Sequence, residues 1–172
     1  GVEVPLILGQ DLLGALAADI DFPRRRVALR RPESVSLPEH AVTVPARRNG
    51  RALHVQAEVE GQPVELLVDT GASGALSLTL AKAEELGLAQ RPGSNRASVV
   101  LGGTTQAKVV TARSMAFAGR LLEEVDVYLF PAPPVPGFPA GLLGVEAFSD
   151  ARVLLDCGRG RLHLIRNGRE VR

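Results

Sequence analysis

Apolar and polar residues alternate along several short stretches of the chain, and this alternation predicts β-strands. Over positions 53–59 every second residue is apolar, as expected of a half-buried strand. Gly61-Gln62 is predicted to turn the chain into a second strand, Val64 to Val68, which runs directly into Asp69. The two strands are therefore expected to form a hairpin.

The residues after this hairpin are predicted to form one short helix and further strands. The helix is expected over Thr79 to Glu85 with its end near Gly87, and residues 88–95 are expected to be a loop. The predicted strands cover positions 99–101 and 107–111, which form a hairpin with its tip at Gly102-Gly103, and positions 114–117 and 125–129.

Two distant parts of the sequence are related by an internal repeat. Gly9 and Gly144 are 135 positions apart, and so are Asp21 and Asp156. The same offset relates three more pairs without a gap: Arg24 with Arg159, Arg26 with Arg161, and Leu29 with Leu164. Each copy is predicted to contain a short buried strand, a glycine that lets another backbone approach, about two helical turns and a hairpin.

Composition and charge exclude several classes of protein. The chain has 172 residues, 45% of them hydrophobic, which suits a globular domain with a real core. A net charge of +1 gives no reason to expect nucleic acid as a partner, and no apolar run is long enough for a transmembrane helix. The arginines at positions 24–26 and 30–31 are interpreted as the solvent side of a hairpin.

The cysteine and histidine residues do not suggest a metal site or a cofactor. Cys157 is the sole cysteine, which excludes an internal disulfide. His40, His54 and His163 are scattered along the chain without the spacing of metal ligands. We therefore expect neither a metal nor a cofactor.

The most specific feature is the stretch from Leu66 to Ser73, in which three apolar residues run into Asp69-Thr70-Gly71. Buried Asp is rare unless it is paired or hydrogen-bonded, so a strand that delivers Asp69 onto a glycine turn is unusual in a structure built for stability alone. Gly71 permits a tight bend, and the Ser73 hydroxyl is a candidate donor to the carboxylate. The alternative is a surface β-turn with Asp at its first position.

This stretch resembles the active-site turn of aspartic peptidases of the pepsin and retropepsin type. Leu142-Leu143-Gly144 resembles the apolar-apolar-glycine element that closes each lobe in this family beside the catalytic turn, and Ile7-Leu8-Gly9 is its copy in the repeat. The resemblance implies catalytic roles for Asp69, Thr70 and Gly71, and structural support of the site by Leu142, Leu143 and Gly144. It also implies that the glycine hairpin is the flap over the cleft, so that Ala72, Ser73, Gly102 and Gly103 contact substrate.

The resemblance also implies a fold class and a domain organisation. The fold is expected to be all-β, a closed barrel lobe of the acid-protease (retropepsin-like) kind with one or two short helices. Residues 51–172 are expected to be one complete lobe, residues 31–50 an inter-lobe connection, and residues 1–30 the C-terminal part of a first lobe. Since the matching catalytic turn of that lobe would precede residue 1, we expect the gene product to begin further upstream.

The function implied is that of an aspartic endopeptidase. Two carboxylates that share one proton activate a water for peptide-bond hydrolysis; Asp69 supplies one, and a first lobe or a second copy of the chain supplies the other. The alternative is a non-catalytic peptide-binding or assembly module on the same fold. The expected partners are a peptide or protein substrate and either the first lobe or a homodimer mate. The two-lobed arrangement and the scarcity of cysteine slightly favour an exported, periplasmic protein, although the compartment stays unknown.

Overall fold

A computed structural model of the protein describes residues 10–50, 52–100, 103–130 and 139–166. Thirteen strands are found in these ranges: β1 (Ala17–Asp21), β2 (Arg26–Arg30), β3 (Val42–Val44), β4 (Ala46–Asn49), β5 (Ala52–Val59), β6 (Gln62–Val68), β7 (Leu76–Thr79), β8 (Gly93–Val100), β9 (Gly103–Phe117), β10 (Arg120–Phe130), β11 (Gly141–Leu143), β12 (Arg152–Asp156) and β13 (Arg161–Ile165).

Helices are few and short in the described part of the chain. The α-helices are α1 (Gln10–Leu13) and α2 (Leu80–Glu85), and two 3-10 turns cover Pro32–Ser34 and Val145–Phe148. The predicted helix over Thr79 to Glu85 is confirmed, because the Thr79 hydroxyl caps α2 by accepting a hydrogen bond from the Lys82 amide at 3.3 Å. None of the described helices has the length and apolar character needed to span a membrane.

The described chain divides into two compact units. Unit 1 contains the residues up to Leu53 and those from Phe148 onward, and unit 2 contains His54–Ala147. Strands make up most of both units and the helices are short, so the predicted all-β architecture with short helices is confirmed.

Within unit 2 the strands of the second sheet follow the order β5-β6-β11-β7-β10-β9-β8. The pairs β6–β11 and β7–β10 are parallel, and the other neighbours are antiparallel. An additional pairing of Glu58 with Ala116 and of Val59 with Met115 joins β5 to β9, so the hydrogen-bonded ladder returns to its first strand. A closed ladder removes one pair of exposed sheet edges. Its interior is filled by fully buried side chains: Val59, Leu66, Leu76, Leu78, Met115, Val127 and Leu143.

Several predicted boundaries in unit 2 were wrong. Residues 93–95, predicted as loop, belong to strand β8, and the two strands predicted at 107–111 and 114–117 are one continuous strand, β9. A long antiparallel partner extends these strands by cross-strand hydrogen bonds, which residue pattern alone does not reveal. The predicted hairpin is present, with Val100 paired to Gly103, and Gly102 lies outside the described residues.

The turn between β5 and β6 also differs by one position from the prediction. Glu60 and Gly61 both have positive φ angles, 53° and 75°, and Gln62 already belongs to β6. Two consecutive residues with positive φ are the mark of the type I′ turn, whose twist matches that of a hairpin. Ala118 and Gly119 repeat this arrangement between β9 and β10, with φ of 51° and 74°.

The sheet of unit 1 has the order β2-β1-β12-β13-β3 and is antiparallel throughout. The predicted repeat is visible in it residue for residue. Adding 135 to the residue numbers of α1 gives those of the 3-10 turn at Val145–Phe148. In the same way β1 corresponds to β12, and β2 corresponds to β13. The helical segment of each copy has only four residues, so it makes about one helical turn and not the two that were expected.

The two copies of the repeat also share their turn contacts. Asp21 Oδ1 accepts a hydrogen bond from the Arg24 amide at 3.0 Å, and Asp156 Oδ1 accepts one from the Arg159 amide at the same distance. The guanidinium of each arginine binds the other oxygen of the same carboxylate. These two aspartates therefore stabilise equivalent hairpin turns.

Glu60 stabilises the point at which β5 and β9 pair and close the ladder of unit 2. Its side chain is only 5% exposed, and its carboxylate accepts hydrogen bonds from the Arg91 and Arg113 guanidinium groups and from the Arg113 amide. Its own amide donates to the Ser114 carbonyl at 3.0 Å. The hydrogen bonds from Arg91, opposed by burial and assisted by Arg113, lower the pKa of Glu60 from 4.5 to about 2.

We predict that Glu60→Gln destabilises the protein by about 2 kcal/mol at pH 7, because an amide cannot replace a carboxylate between two arginines. The lowered pKa sets the pH dependence: the stabilisation is complete above pH 4.5 and is lost as the pH falls from 4.5 towards 2. Urea unfolding of wild type and variant at both ends of this range measures the effect.

Glu58→Gln is the matched control, since Glu58 is an exposed residue of β5, two positions before Glu60. It should change stability by less than about 0.5 kcal/mol at either pH. An equal loss in the two variants, or a loss in Glu60→Gln that stays the same at pH 2, would contradict the role assigned to Glu60.

Candidate active site

Asp69 stands at the end of strand β6, where two parallel strands run side by side. Leu67 and Val68 of β6 pair in parallel with Leu142 and Leu143 of β11. The ladder continues for one residue beyond the strand, because the Asp69 amide donates to the Leu143 carbonyl at 2.9 Å. The backbone amide of Asp69 is therefore fixed by its hydrogen bond to β11. The Asp69 side chain is half-buried.

The residues after Asp69 form a tight turn that folds back on the carboxylate. Asp69 Oδ1 accepts a hydrogen bond from the Gly71 amide at 2.8 Å, and the Asp69 carbonyl accepts one from the Ala72 amide at 3.2 Å. The donor to the carboxylate is thus the Gly71 backbone and not the Ser73 hydroxyl considered from the sequence. Thr70, Gly71 and Ser73 are exposed at the rim of the turn.

Gly144 locks the turn against the end of β11. Its amide donates to the Ala75 carbonyl at 3.0 Å, and the next amide, that of Val145, donates to the Ala72 carbonyl at 2.9 Å. A Cβ atom at position 144 would lie 2.0 Å from the Gly74 carbonyl oxygen and 2.6 Å from that of Ala72. Only glycine allows this approach, so the predicted supporting element, Leu142-Leu143-Gly144, does lie beside the predicted catalytic turn.

Tyr128 supports the far end of the turn, and the sequence analysis missed it. A Cβ atom at Gly74 would lie 2.8 Å from Cε2 of the Tyr128 ring, which shows how closely the ring covers this glycine. Arg96 of strand β8 donates to Asp126 Oδ2 at 2.7 Å, two residues before Tyr128. Tyr128 is the single tyrosine of the chain, a signal that could have drawn attention to it.

The structure brings some of the predicted site residues together and leaves others untested. Hydrogen bonds link Asp69 to Gly71, Ala72 and Leu143, and Thr70 and Ser73 lie in the same turn. Gly103 begins strand β9, and Gly102 lies outside the described residues, so the substrate contacts of the hairpin stay a prediction. Within the described ranges, no three His, Cys, Asp or Glu side chains are grouped as metal ligands would be.

Comparisons with known proteins agree with this geometry. A family model described as "Aspartyl protease" matches residues 55–147, more than half of the chain. No curated protein matches the sequence.

One solved structure shares the fold at low sequence identity, and two more match with TM-scores below 0.5. A retropepsin-like aspartic protease from Rickettsia conorii superimposes with a TM-score of 0.56 at 21% identity, over 72% of this chain and 89% of the other. EIAV protease in complex with the inhibitor HBY-793 matches at 18% identity with a TM-score of 0.44, over 67% of this chain and 93% of the other. Simian foamy virus (mac) protease matches at 21% identity with a TM-score of 0.39, over 55% and 89%. The first of these confirms the predicted retropepsin-like fold.

We predict that Gly144→Ala destabilises the protein by about 3 kcal/mol, because the new methyl group meets two backbone oxygens that side-chain rotation cannot move. Thermal unfolding monitored by circular dichroism measures the loss.

Gly71→Ala is the comparison variant. Its methyl group would meet one side-chain atom, Asp69 Oδ1, at 3.2 Å, so this variant should lose less than about 1 kcal/mol. If both variants unfold at the wild-type temperature, Gly144 does not lock the turn.

Proposed function

This chain belongs to the aspartyl protease family, and from that premise we propose that it is an aspartic endopeptidase in which Asp69 is one of two catalytic carboxylates. The observation that carries the proposal is the group formed by Asp69, Gly71 and Gly144. The carboxylate is held by the amide of its own turn, and the turn is locked by a glycine that no other residue can replace. An ordinary surface turn requires no such lock.

The chemistry needs a second carboxylate close to Asp69. Two like charges within hydrogen-bond reach cannot both ionise, so the pair shares one proton. The ionised member takes a proton from a bound water, whose oxygen attacks the carbonyl carbon of the scissile peptide bond. The protonated member donates to the carbonyl oxygen at the same time. Because the pair needs this single shared proton, activity should be highest in the acidic range and fall on both sides of it.

The remaining roles follow from the position of each residue around the turn. Thr70 and Gly71 complete the catalytic turn with Asp69. Ala72 and Ser73 lie directly after it, where small side chains leave room for an extended substrate. The β8–β9 hairpin, with Gly102 and Gly103 at its tip, acts as the flap and contacts the peptide backbone. No step requires a cofactor.

The second carboxylate is assigned to a two-lobed organisation. Residues 51–172 form the lobe that carries Asp69, residues 31–50 connect the lobes, and residues 1–30 are the end of a first lobe. The internal repeat supports this assignment, because the copy in residues 10–30 repeats the elements that close the lobe at residues 145–165.

We predict that Asp69→Asn in the full-length polypeptide lowers the rate of cleavage of an unfolded protein substrate by about 1000-fold or more, since an amide can neither accept the proton of the water nor share one with a partner. The measurement is cleavage of denatured casein between pH 3 and pH 7.

Glu123→Gln removes one negative charge from an exposed position of β10 and serves as the control. It should retain the wild-type rate and fold. Equal cleavage by wild type and Asp69→Asn would end the proposal. A wild-type protein that folds, binds peptides and cleaves none of them would favour the peptide-binding module instead.

A further inference from the structure

The ring of Tyr128 packs on the segment that follows the Asp69 turn. A Cβ atom placed on Gly74 would lie 2.8 Å from Cε2, 3.1 Å from Cδ2 and 3.8 Å from Cζ of this ring. The φ angle of Gly74 is not in the left-handed region, so the backbone conformation does not require glycine here. Glycine is needed at position 74 because the ring occupies the space of a side chain.

The side chain of Tyr128 projects from the same face of the sheet as that of Asp69. Directly paired residues share a face of the sheet, and so do residues two apart along one strand. Leu67 pairs with Leu142, and Leu142 pairs with Ser77. Ser77 in turn pairs with Tyr128, so one row of side chains crosses β6, β11, β7 and β10. Asp69 lies two residues after Leu67, and its amide continues the β6–β11 ladder.

This row also gives the separation of the ring from the carboxylate. Strands β6 and β10 are three strand spacings apart, which is about 14 Å at about 4.8 Å for each spacing. An extended peptide advances about 3.3 Å for each residue, so about three or four residues cover this distance. A peptide that is cleaved at Asp69 and follows the segment towards Gly74 therefore reaches the ring of Tyr128.

Exposure distinguishes Tyr128 from its neighbours in the row. Ser77 on one side is 8% exposed, and Val109 of β9 on the other side is 3% exposed. Tyr128 itself is only half-buried. Its strand is paired on both sides, with β7 and with β9, the second strand of the hairpin proposed as the flap. The ring is thus a partly exposed surface on a rigid element between the turn and this hairpin.

We propose that Tyr128 is a specificity-determining residue of the peptidase site, and that its ring contacts a substrate side chain about three or four residues from the scissile bond. The inference rests on the function proposed above and adds the residue, the position in the substrate and the kind of side chain. Because an aromatic ring offers a large apolar surface, the substrate side chain that it favours is apolar or aromatic.

A purely structural role of Tyr128 has different consequences. If the ring only filled the space above Gly74, its removal would loosen the turn and slow the cleavage of every substrate to the same extent. A ring that contacts the substrate discriminates between side chains, so its removal changes the relative rates of different substrates. The ratio of two cleavage rates therefore separates the two roles.

Paired synthetic peptides measure this ratio in the full-length polypeptide. Their sequence is that of the fastest cleavage site in denatured casein, with either Phe or Ala at the third or the fourth residue from the scissile bond, on either side. At one of these positions the wild type should prefer Phe by about tenfold in kcat/KM, mainly through KM. Tyr128→Ala should reduce this preference to less than about twofold, and Tyr128→Phe should retain it.

Leu121→Ala is the matched control, because Leu121 is an exposed apolar residue near the other end of β10. It should leave both the preference and the rates within about twofold of the wild type. If Tyr128→Ala does not fold, Tyr128→Leu replaces it and should reduce the preference at least threefold. A wild type without the preference, a preference that persists without the ring, or an equal loss of rate for the Phe and Ala peptides would overturn the proposal.

A measurement of binding separates this inference from the proposed function. The Asp69→Asn variant is labelled at its tyrosine rings and mixed with unlabelled tryptic peptides of casein. The Tyr128 signal is identified as the one missing from Asp69→Asn/Tyr128→Phe. Nuclear Overhauser effects between this ring and the peptides should be present, and their absence would overturn the proposal. Such contacts in a protein that cleaves no peptide would support the role of Tyr128 in binding and end the proposed function.

Discussion

The parallel pairing of β6 with β11 is the constraint on which the candidate site depends. It places the backbone of Asp69 against Leu143 and brings Gly144 under the turn. A parallel pair cannot be made by a hairpin, so about 75 residues separate Val68 from Leu143, and the hairpin β8–β9 and strand β10 lie within that interval. The turn is thus positioned by a contact between residues distant in sequence. Its geometry therefore depends on the packing of the whole unit.

That packing has to survive the conditions in which the proposed chemistry works. A carboxylate pair that shares a proton operates in mild acid, where ordinary glutamates begin to lose their charge. Glu60 joins the two strands that close the ladder, and its pKa of about 2 keeps it ionised well below the range in which most glutamates titrate. The arginines that lower this pKa thereby let the unit keep its closure in the pH range where the site is expected to act.

The features that the sequence predicted are those with a local or periodic signal. The Asp69 turn, the glycine at 144 and the short helix after Thr79 each have a residue type that the backbone geometry demands, and the repeat has a fixed offset. The length of β9, the ion pairs of Glu60 and the contact of Tyr128 with Gly74 were not predicted. Each depends on residues that are brought together by pairing between strands distant in sequence. The pattern within a single stretch of sequence does not predict such contacts.

The repeat carries information that neither copy carries alone. A hairpin with Val27 and Leu29 on its surface would attract little notice, since single exposed apolar residues are normal. The second copy shows the same positions in a strand that pairs on both sides, where Leu162 and Leu164 are fully buried. The turn contacts of Asp21 and Asp156 agree, so the two copies have the same backbone and differ only in what surrounds them. The difference in exposure therefore accompanies the additional pairing of β13 with β3, which β2 does not share among the described residues.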